Sequence, residues 1–261
     1  MHKFVIQKIA KFLTIVVVTV FTDSTWAVFS QTIRHTFSED GELVVAKQEA
    51  KKEEKLPEPL VEKDVKLIAL APDQSIFLAA DRKCVVFLAE VCLREGPLEF
   101  FVCSKNTKEH ESILATRAKP SLIHVGLLAM GAEPGTPVQF TPEYTPATGP
   151  RIDVTIRWLD KEGRRQEAKA EEWVQETSSK KQMDTHWVFS GSLFQKLEDG
   201  KNQYVADVSG EIIGVSNFPA VVLDIPIAST SDNSDLLFQT FTEKIPTEGT
   251  IVTVILTTFE K

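Results

Sequence analysis

The chain has 261 residues, a formal charge of −8, 43% hydrophobic residues, 25% charged residues and three cysteines. These fractions are typical of a folded globular protein, which excludes a disordered, collagenous or coiled-coil chain for most of its length. The acidic balance argues against non-specific nucleic-acid binding, which requires clustered lysine and arginine. Three cysteines are too few for a disulfide-based scaffold and too few to bind a four-thiolate iron–sulfur cluster.

The N-terminal segment has the three parts of a secretory signal peptide. Three lysines precede an apolar run from Phe12 to Phe21, and the small residue Ala27 follows at the expected cleavage site. The run is shorter than the roughly 20 apolar residues that span a bilayer. We therefore predict that residues 1–27 are removed and that the rest is exported to the periplasm or secreted, without a membrane span. A retained membrane anchor is the alternative.

Cleavage would remove three lysines and one aspartate, which lowers the formal charge from −8 to −10. The next segment is charged as well: lysine, glutamate and proline dominate residues 46–63. Such a composition buries too little apolar surface to offset the entropy lost on ordering the chain. We predict a disordered charged tether over residues 28–63, with a short exposed helix over residues 49–55 as the alternative.

Short apolar runs separated by turn-forming residues begin after residue 64. The runs predict strands at residues 65–70, 75–80, 84–93, 98–103, 152–158, 164–170, 186–190, 203–208, 211–215 and 250–257. Capping and periodicity patterns predict helices at residues 106–116, 120–130 and 234–241. We therefore predict one α+β domain over residues 64–261, with a mostly antiparallel β-sheet and two or three short helices.

The densest group of reactive side chains lies between residues 92 and 124. It consists of Cys92, Cys103, His110 and His124, with Glu109 and Glu111 beside His110. Thiolate and imidazole groups bind zinc and copper, and four of them would complete a tetrahedral site. The spacing matches no standard zinc finger, and Leu114 stands where a zinc-protease motif requires its second histidine.

Several alternatives remain for the two cysteines of this group. Cys92 and Cys103 lie on the two strands of a predicted hairpin, either side of the turn at residues 94–97. In an oxidising compartment such a pair tends to form a disulfide. A metal or redox site and a pair of unbonded buried thiols are the other interpretations. A nucleophilic cysteine with a histidine base has no supporting local signature. Cys84 lies inside an apolar strand and is predicted to be a small buried hydrophobic residue.

A second polar cluster lies in the last third of the chain. It contains Ser216, Asn217 and Asp224, followed by Ser229 and Asn233. These residues can line a loop-built site, or simply form turns around the neighbouring prolines. Hydrolysis at Ser216 would require a nearby histidine, and the sequence around it lacks the second glycine of a nucleophile elbow. Phosphate-binding, dinucleotide-binding and EF-hand calcium motifs are absent from the sequence.

Several short motifs follow one another through these regions. They are Val91-Cys92-Leu93, Glu95-Gly96, Leu98-Glu99, Cys103, Thr107-Lys108-Glu109-His110-Glu111-Ser112, Lys119-Pro120-Ser121, His124 and Gly131, with weaker motifs at His186-Trp187-Val188-Phe189, Ser216-Asn217-Phe218-Pro219 and Leu223-Asp224. Over nearly all of residues 64–258 the chain resembles the YdjY-like domain family, a group of exported bacterial proteins without a settled function. The resemblance implies no reaction.

Two functions follow from these observations. We expect an exported binding or interaction module of the cell envelope, whose ligand is an unidentified protein or small molecule. The alternative is a metal- or thiol-dependent site built from Cys92, Cys103, His110 and His124, supported by Glu109 or Glu111. In that case the cofactor would be a transition metal. The two functions differ in whether the four side chains converge in space.

Overall fold

The computed structural model describes residues 34–37, 43–46, 55–229 and 236–259. Its contacts divide the chain into two units, Met1–Glu54 and Lys55–Lys261. In the first unit, β1 (Arg34–Phe37) pairs with β2 (Leu43–Ala46) in an antiparallel ladder. The predicted signal peptide, residues 1–27, lies outside the described residues.

Strands dominate the described part of the second unit. They are β3 (Ile68–Ala69), β4 (Ile76–Ala79), β5 (Cys84–Val91), β6 (Phe100–Ser104), β7 (Ser112–Thr116), β8 (Arg151–Leu159), β9 (Arg165–Lys169), β10 (Val174–Glu176), β11 (Trp187–Phe189), β12 (Phe194–Lys196), β13 (Asn202–Tyr204), β14 (Glu211–Gly214), β15 (Leu223–Asp224), β16 (Phe238–Thr240) and β17 (Ile251–Thr258). The α-helices are α1 (Pro120–Ala129) and α2 (Ala206–Ser209). Neither helix is long and apolar enough to cross a membrane, and the same holds for every described helix.

Eight of these strands close into a barrel. Their order around the ring is β17, β8, β11, β15, β14, β6, β7 and β5, and pairing between β17 and β5 closes it. The pairs β6–β7 and β14–β15 are parallel, and the other neighbours in the ring are antiparallel. Strands account for 36% of the described residues and helices for 14%.

The predicted α+β class with a mostly antiparallel sheet is therefore wrong, because the domain is mostly β and its sheet closes on itself. Alternating apolar and polar residues mark where strands occur, but they do not determine the order of those strands in space. Closure depends on β17, which forms ladders with β5 on one side and with β8 on the other. These long-range pairings have no local signal in the sequence.

The barrel surrounds one main hydrophobic core, to which each of its eight strands contributes buried side chains. Strand β5 has two apolar faces. Val85 and Phe87 belong to the main core, whereas Cys84 and Val86 belong to a second, smaller cluster with Phe77. Cys84 is 6% exposed, so the prediction of a small buried hydrophobic residue is confirmed.

Of the three predicted helices, the one at residues 120–130 is confirmed as α1, with Pro120 in its first turn. The helix predicted at residues 106–116 is wrong: a single 3-10 turn, Glu109–Glu111, leads into strand β7. The helix predicted at residues 234–241 is also wrong, because β16 occupies its described part and pairs with β10. Short apolar runs fit a buried strand as well as a helix, and periodicity alone does not distinguish them.

Residues 55–63, at the end of the predicted tether, lie against the barrel. The Leu60 backbone N–H donates a hydrogen bond to Thr253 Oγ1 at 2.8 Å. Arg157 Nη2 lies 2.9 Å from Glu62 Oε1. Contacts thus assign these residues to the same unit as the barrel.

Candidate functional site

Cys92 and Cys103 lie on neighbouring parts of the barrel, but not on a hairpin. Cys92 follows β5 directly and Cys103 belongs to β6. Strand β7 lies between these two strands, antiparallel to β5 and parallel to β6. The predicted hairpin between the strands of Cys92 and Cys103 is therefore wrong. Residues 112–116, which the sequence predicts to be helical, form a strand between them. The two side chains are nevertheless neighbours: both are free thiols, and each shifts the pKa of the other.

The two sulfurs differ in their access to solvent. Cys103 is fully buried, whereas Cys92 is half-buried. Backbone groups of β7 fix Cys92: its N–H donates to the Ile113 carbonyl at 2.9 Å, and its Sγ donates to the Ser112 carbonyl at 3.1 Å. A reagent in solution therefore reaches Cys92 first, with Cys103 directly behind it.

The contact also couples the protonation of the two sulfurs. The pKa of the Cys103 thiol is lowered chiefly by the hydrogen bond with Cys92, which outweighs the opposing effect of burial. The pKa of the Cys92 thiol is raised by the same hydrogen bond and by burial. The Glu109 carboxylate disfavours negative charge on either sulfur. The pair therefore accepts one negative charge, stabilised by the remaining proton, much more readily than two.

The loop between β6 and β7 frames the thiol pair and is held by its own hydrogen bonds. The Asn106 N–H donates to Glu109 Oε1 at 2.6 Å, and Thr107 Oγ1 donates to the Ser104 carbonyl at 2.6 Å. Gly210 packs beneath this loop with a φ of 80°, and a Cβ there would lie 2.4 Å from Thr107 Oγ1. The close approach and the left-handed backbone together require glycine.

An acidic cluster surrounds Lys108, in the loop between β6 and β7. Glu99 is 7% exposed, and its pKa is raised to about 7 by burial and by the neighbouring Glu111 carboxylate. Lys108 Nζ lies 3.0 Å from Glu111 Oε1. Glu211 stands opposite Cys103 in the β14–β6 register, and burial raises its pKa. Three carboxyl groups thus share one ammonium group.

His124 belongs to a different part of the molecule. Its Nδ1 lies 2.9 Å from the Tyr204 hydroxyl, which in turn donates to the Gly191 carbonyl at 3.1 Å. The His124 ring also meets the Phe189 ring edge-on, with centroids 4.9 Å apart. Burial lowers the pKa of His124. These contacts make His124 a neutral, half-buried member of an aromatic cluster.

His110 is mostly in solvent. Its side chain is 74% exposed, and its Nε2 lies 3.5 Å from Glu111 Oε2. Within residues 55–229 and 236–259, no three His, Cys, Asp or Glu side chains are arranged to hold a metal ion. Among the described residues, the structure does not bring Cys92, Cys103, His110 and His124 together as a metal site, because the two histidines make their contacts elsewhere. The same separation leaves neither cysteine with a histidine base.

The second cluster forms a buried hydrogen-bond network. Asn217 Nδ2 donates to Asp224 Oδ1 at 3.3 Å, and the Ile225 N–H donates to the same oxygen at 2.8 Å. Tyr144 donates its hydroxyl to Asn217 Oδ1 at 3.1 Å, and the Ser229 N–H donates to it at 2.8 Å. The structure thus brings Asn217, Asp224 and Ser229 together, while the predicted member Asn233 lies outside the described residues.

Asp224 is fully buried, and burial raises its pKa to about 7. Its Oδ2 has no hydrogen-bond partner among the described residues. Ser216 is fully buried too, and its hydroxyl likewise has no described partner. Hydrolysis at Ser216 is therefore excluded for this arrangement, since no histidine is within hydrogen-bond reach of the hydroxyl.

A shallow groove of about 380 Å³ runs along Gly96, Thr177, Thr240 and Thr242. Its hydroxyls already form internal hydrogen bonds. Thr177 donates to the Leu236 carbonyl at 3.1 Å, and Thr242 donates to a carbonyl at 2.7 Å. Thr240 accepts a bond from the Gly96 N–H at 3.2 Å. The groove therefore offers few polar groups for orienting a ligand.

Sequence reasoning missed the residues that reach the thiol pair from other strands. Glu99 had a usable signal, because an acidic residue inside the apolar run from Leu98 to Cys103 is unusual and points to a buried charge. Glu211 had no signal in the sequence, because it stands opposite Cys103 only through the pairing of β14 with β6. The Ser112 carbonyl was missed because its strand was predicted to be helical.

Comparison with known families identifies the domain. The YdjY domain matches residues 76–257, which covers most of the chain and all of the barrel strands except the last residue of β17. No curated protein and no solved structure gives a match. The matched region includes both cysteines of the thiol pair and the buried Asn217–Asp224 network. The chain belongs to the YdjY domain family.

Proposed function

We propose that the chain is exported and that its barrel is an envelope module that exchanges disulfides through Cys92 and Cys103. One observation carries the proposal: the two thiols are neighbours that influence each other's protonation, and Cys92 is the less buried residue of the pair. Thiol–disulfide exchange requires one sulfur that meets the partner and a second that resolves the mixed disulfide. The binding module expected from the sequence is retained, because exchange requires the barrel to bind its partner.

The reaction balances with an external disulfide as the oxidant. The Cys92 thiolate attacks one sulfur of that disulfide, a mixed disulfide forms at Cys92, and the first external thiolate leaves. The Cys103 thiolate then attacks Cys92 Sγ, the internal disulfide forms, and the second external thiolate leaves. Two electrons pass from the protein thiols to the external disulfide. Cys92 and Cys103 each lose one proton before they attack, and the two released thiolates take up one proton each.

The protonation of the pair favours Cys103 as the resolving thiol. The interaction between the sulfurs lowers the pKa of Cys103 and raises the pKa of Cys92. Attack by Cys92 therefore requires its proton to move to Cys103, so that the charge resides on Cys92. Once Cys92 is consumed in the mixed disulfide, Cys103 loses that proton and its thiolate attacks Cys92 Sγ.

Trapping experiments test the assignment of the two roles. With a small neutral disulfide as oxidant, Cys103→Ser should accumulate a stable mixed disulfide at Cys92, and Cys92→Ser should form almost none. Cys84→Ser is the matched control, since Cys84 is buried in a separate apolar cluster. This variant should behave like the unsubstituted protein. Cys103→Ala serves if the serine variant is unstable, and thermal melting verifies folding.

Equal trapping in the Cys92→Ser and Cys103→Ser variants would contradict the assignment, as would the absence of trapping in both. Export has a separate test in a bacterial host. The prediction is a processed protein in the envelope fraction, with a mass that corresponds to a chain beginning at residue 28. Full-length protein confined to the cytosol would contradict the export part of the proposal and leave the thiol chemistry unaffected.

A further inference from the structure

We propose that the Cys92–Cys103 pair selects its partner by charge, reacting with cationic and neutral disulfides in preference to anionic ones. This inference rests on the proposed thiol–disulfide exchange and specifies the substrate class of the same site. It follows from the excess of fixed negative charge around Cys92, the least buried of the three cysteines.

Glu109 is the acidic residue that most directly affects the pair. It opens the 3-10 turn that leads into Ser112, whose carbonyl accepts the hydrogen bond from Cys92 Sγ. The hydrogen bond from the Asn106 N–H fixes the Glu109 carboxylate. Its charge acts on both Cys92 and Cys103. A partner that approaches Cys92 therefore enters the field of a carboxylate held in one place.

The nearby cations do not cancel this field. Lys108 pairs with Glu111 and also faces Glu99 and Glu211, so one positive charge is shared among three acidic groups. Lys105 is bound to Glu90, with Nζ 2.5 Å from Oε2. Both lysines of the loop are therefore occupied by carboxylates.

Arg94 is the remaining described cation close to Cys92 along the chain. Its Nε donates to the Ile245 carbonyl at 3.1 Å, and its Nη2 donates to the Thr242 carbonyl at 3.1 Å. Hydrogen bonds to neutral carbonyls leave the guanidinium its full positive charge, and the acidic Glu95, next in the sequence, offsets that charge. The surroundings of Cys92 keep a net negative charge.

Exchange itself increases the effect of these charges. Exchange requires a thiolate on Cys92, and the acidic surroundings oppose the formation of that negative charge. An ammonium group on the partner offsets this cost, whereas a carboxylate adds to it. Because the interaction crosses solvent, salt should screen it, with a Debye length of about 10 Å at 0.1 M.

A series of three small disulfides tests the inference. Cystamine carries two ammonium groups, bis(2-hydroxyethyl) disulfide is neutral, and oxidised glutathione has a net negative charge. The measurement is the rate of Cys92–Cys103 oxidation, with each rate divided by that of free dithiothreitol to remove intrinsic reactivity. At low salt we expect cystamine to exceed oxidised glutathione about ten-fold, and at about 0.5 M salt only about two-fold.

Glu109→Gln should reduce the ten-fold ratio to about three-fold, because the amide keeps the acceptor for Asn106 and removes the charge. Glu162→Gln is the matched control, since Glu162 is an exposed acid in the turn after β8. It should leave the ratio unchanged. Oxidation by the neutral disulfide without any order by charge would overturn this inference and leave the proposed exchange standing. Failure of all three disulfides to oxidise the pair would overturn both.

Discussion

Two buried polar clusters of this barrel make an instructive comparison. The thiol pair combines a fully buried sulfur with a half-buried one, so its chemistry is connected to solvent. The Asn217–Asp224 network is closed: Asn217 is 1% exposed and Asp224 is fully buried. Both clusters hold groups with shifted pKa values, yet only the first can meet a partner without rearrangement.

The difference teaches that a shifted pKa alone does not mark a reactive site. Asp224 has its pKa raised to about 7 and makes two hydrogen bonds through one oxygen, which suits a protonated, structural carboxyl group. Cys92 and Cys103 have shifted pKa values as well, but Cys92 is only partly buried. We therefore assign stability to the first network and reactivity to the second, and the following predictions test that division.

The largest effect is expected from the pH dependence of Asp224. Its pKa lies above the usual 3.8 when folded, so the folded chain holds the proton more tightly than the unfolded chain. Its contribution to stability is full below about pH 4 and is lost as the pH rises through about 7. Between these limits the free energy of unfolding should fall by on the order of 3 kcal/mol relative to Asp224→Asn. Urea denaturation of the unsubstituted protein and of Asp224→Asn at several pH values between these limits measures this fall. If the free energy of unfolding depended on pH in the same way in both proteins, a buried neutral carboxyl group at Asp224 would be contradicted.

A slightly smaller effect is expected from Asn217→Ala. The substitution removes the bonds to Asp224 and the Ile225 carbonyl and leaves the Tyr144 hydroxyl and Ser229 N–H without their acceptor. Loss of a buried network should lower the free energy of unfolding by about 2–3 kcal/mol. Tyr144→Phe, which removes a single bond, should cost about 1 kcal/mol. Chemical denaturation compares the two, and equal losses would show that the network does not act as a unit.

Gly210→Ala tests the support beneath the thiol loop. The new Cβ would lie 2.4 Å from Thr107 Oγ1 at a φ of 80°. We expect a loss of about 2 kcal/mol, against about 1 kcal/mol for Gly163→Ala, which has a φ of 78° and no atom near its Cβ. The difference between the two thermal melts isolates the contact with the loop. If Gly210→Ala and Gly163→Ala melted at the same temperature, the loop would accommodate the new Cβ without a cost in stability.

The last and smallest expected effect is a difference in rate among the three cysteines when the native protein is alkylated with a small neutral reagent. Cys92 should react first because it is half-buried, whereas Cys84 and Cys103 should react only after denaturation. Peptide mass mapping of briefly labelled protein reads this order directly. Labelling of Cys84 as fast as Cys92 would contradict the difference in access on which the comparison depends.

The sequence predicts those parts of the fold and the site that depend on local patterns. It does not predict the parts that depend on pairing between distant strands. Strand β8 was predicted because Ile152, Val154 and Ile156 alternate with polar residues, and α1 because proline begins its apolar run. Closure of the barrel could not be predicted from the sequence, because it depends on the register of β17 with β5. Strand β7 was predicted to be a helix, because the capping bond between Asn106 and Glu109 exists but closes only one turn.

The same limit applies to the site. The sequence brought attention to Cys92 and Cys103 as a pair, but the predicted geometry was a hairpin, whereas the contact arises across an intervening strand. His124 was grouped with the cysteines by closeness in sequence, and packing against Tyr204 and Phe189 separates it from them. Nearness along the chain indicated the chemistry, and only the barrel topology determined which side chains meet.

The measurement that tests the central claim most directly is a redox equilibrium of the unsubstituted protein. The protein is incubated in dithiothreitol buffers of graded oxidised fraction, all free thiols are alkylated, and peptides are mapped by mass. The account predicts a reversible link between Cys92 and Cys103, with the loss of two hydrogen masses, while Cys84 stays alkylated throughout. Free Cys92 and Cys103 at every ratio, or a link that involves Cys84, would contradict it.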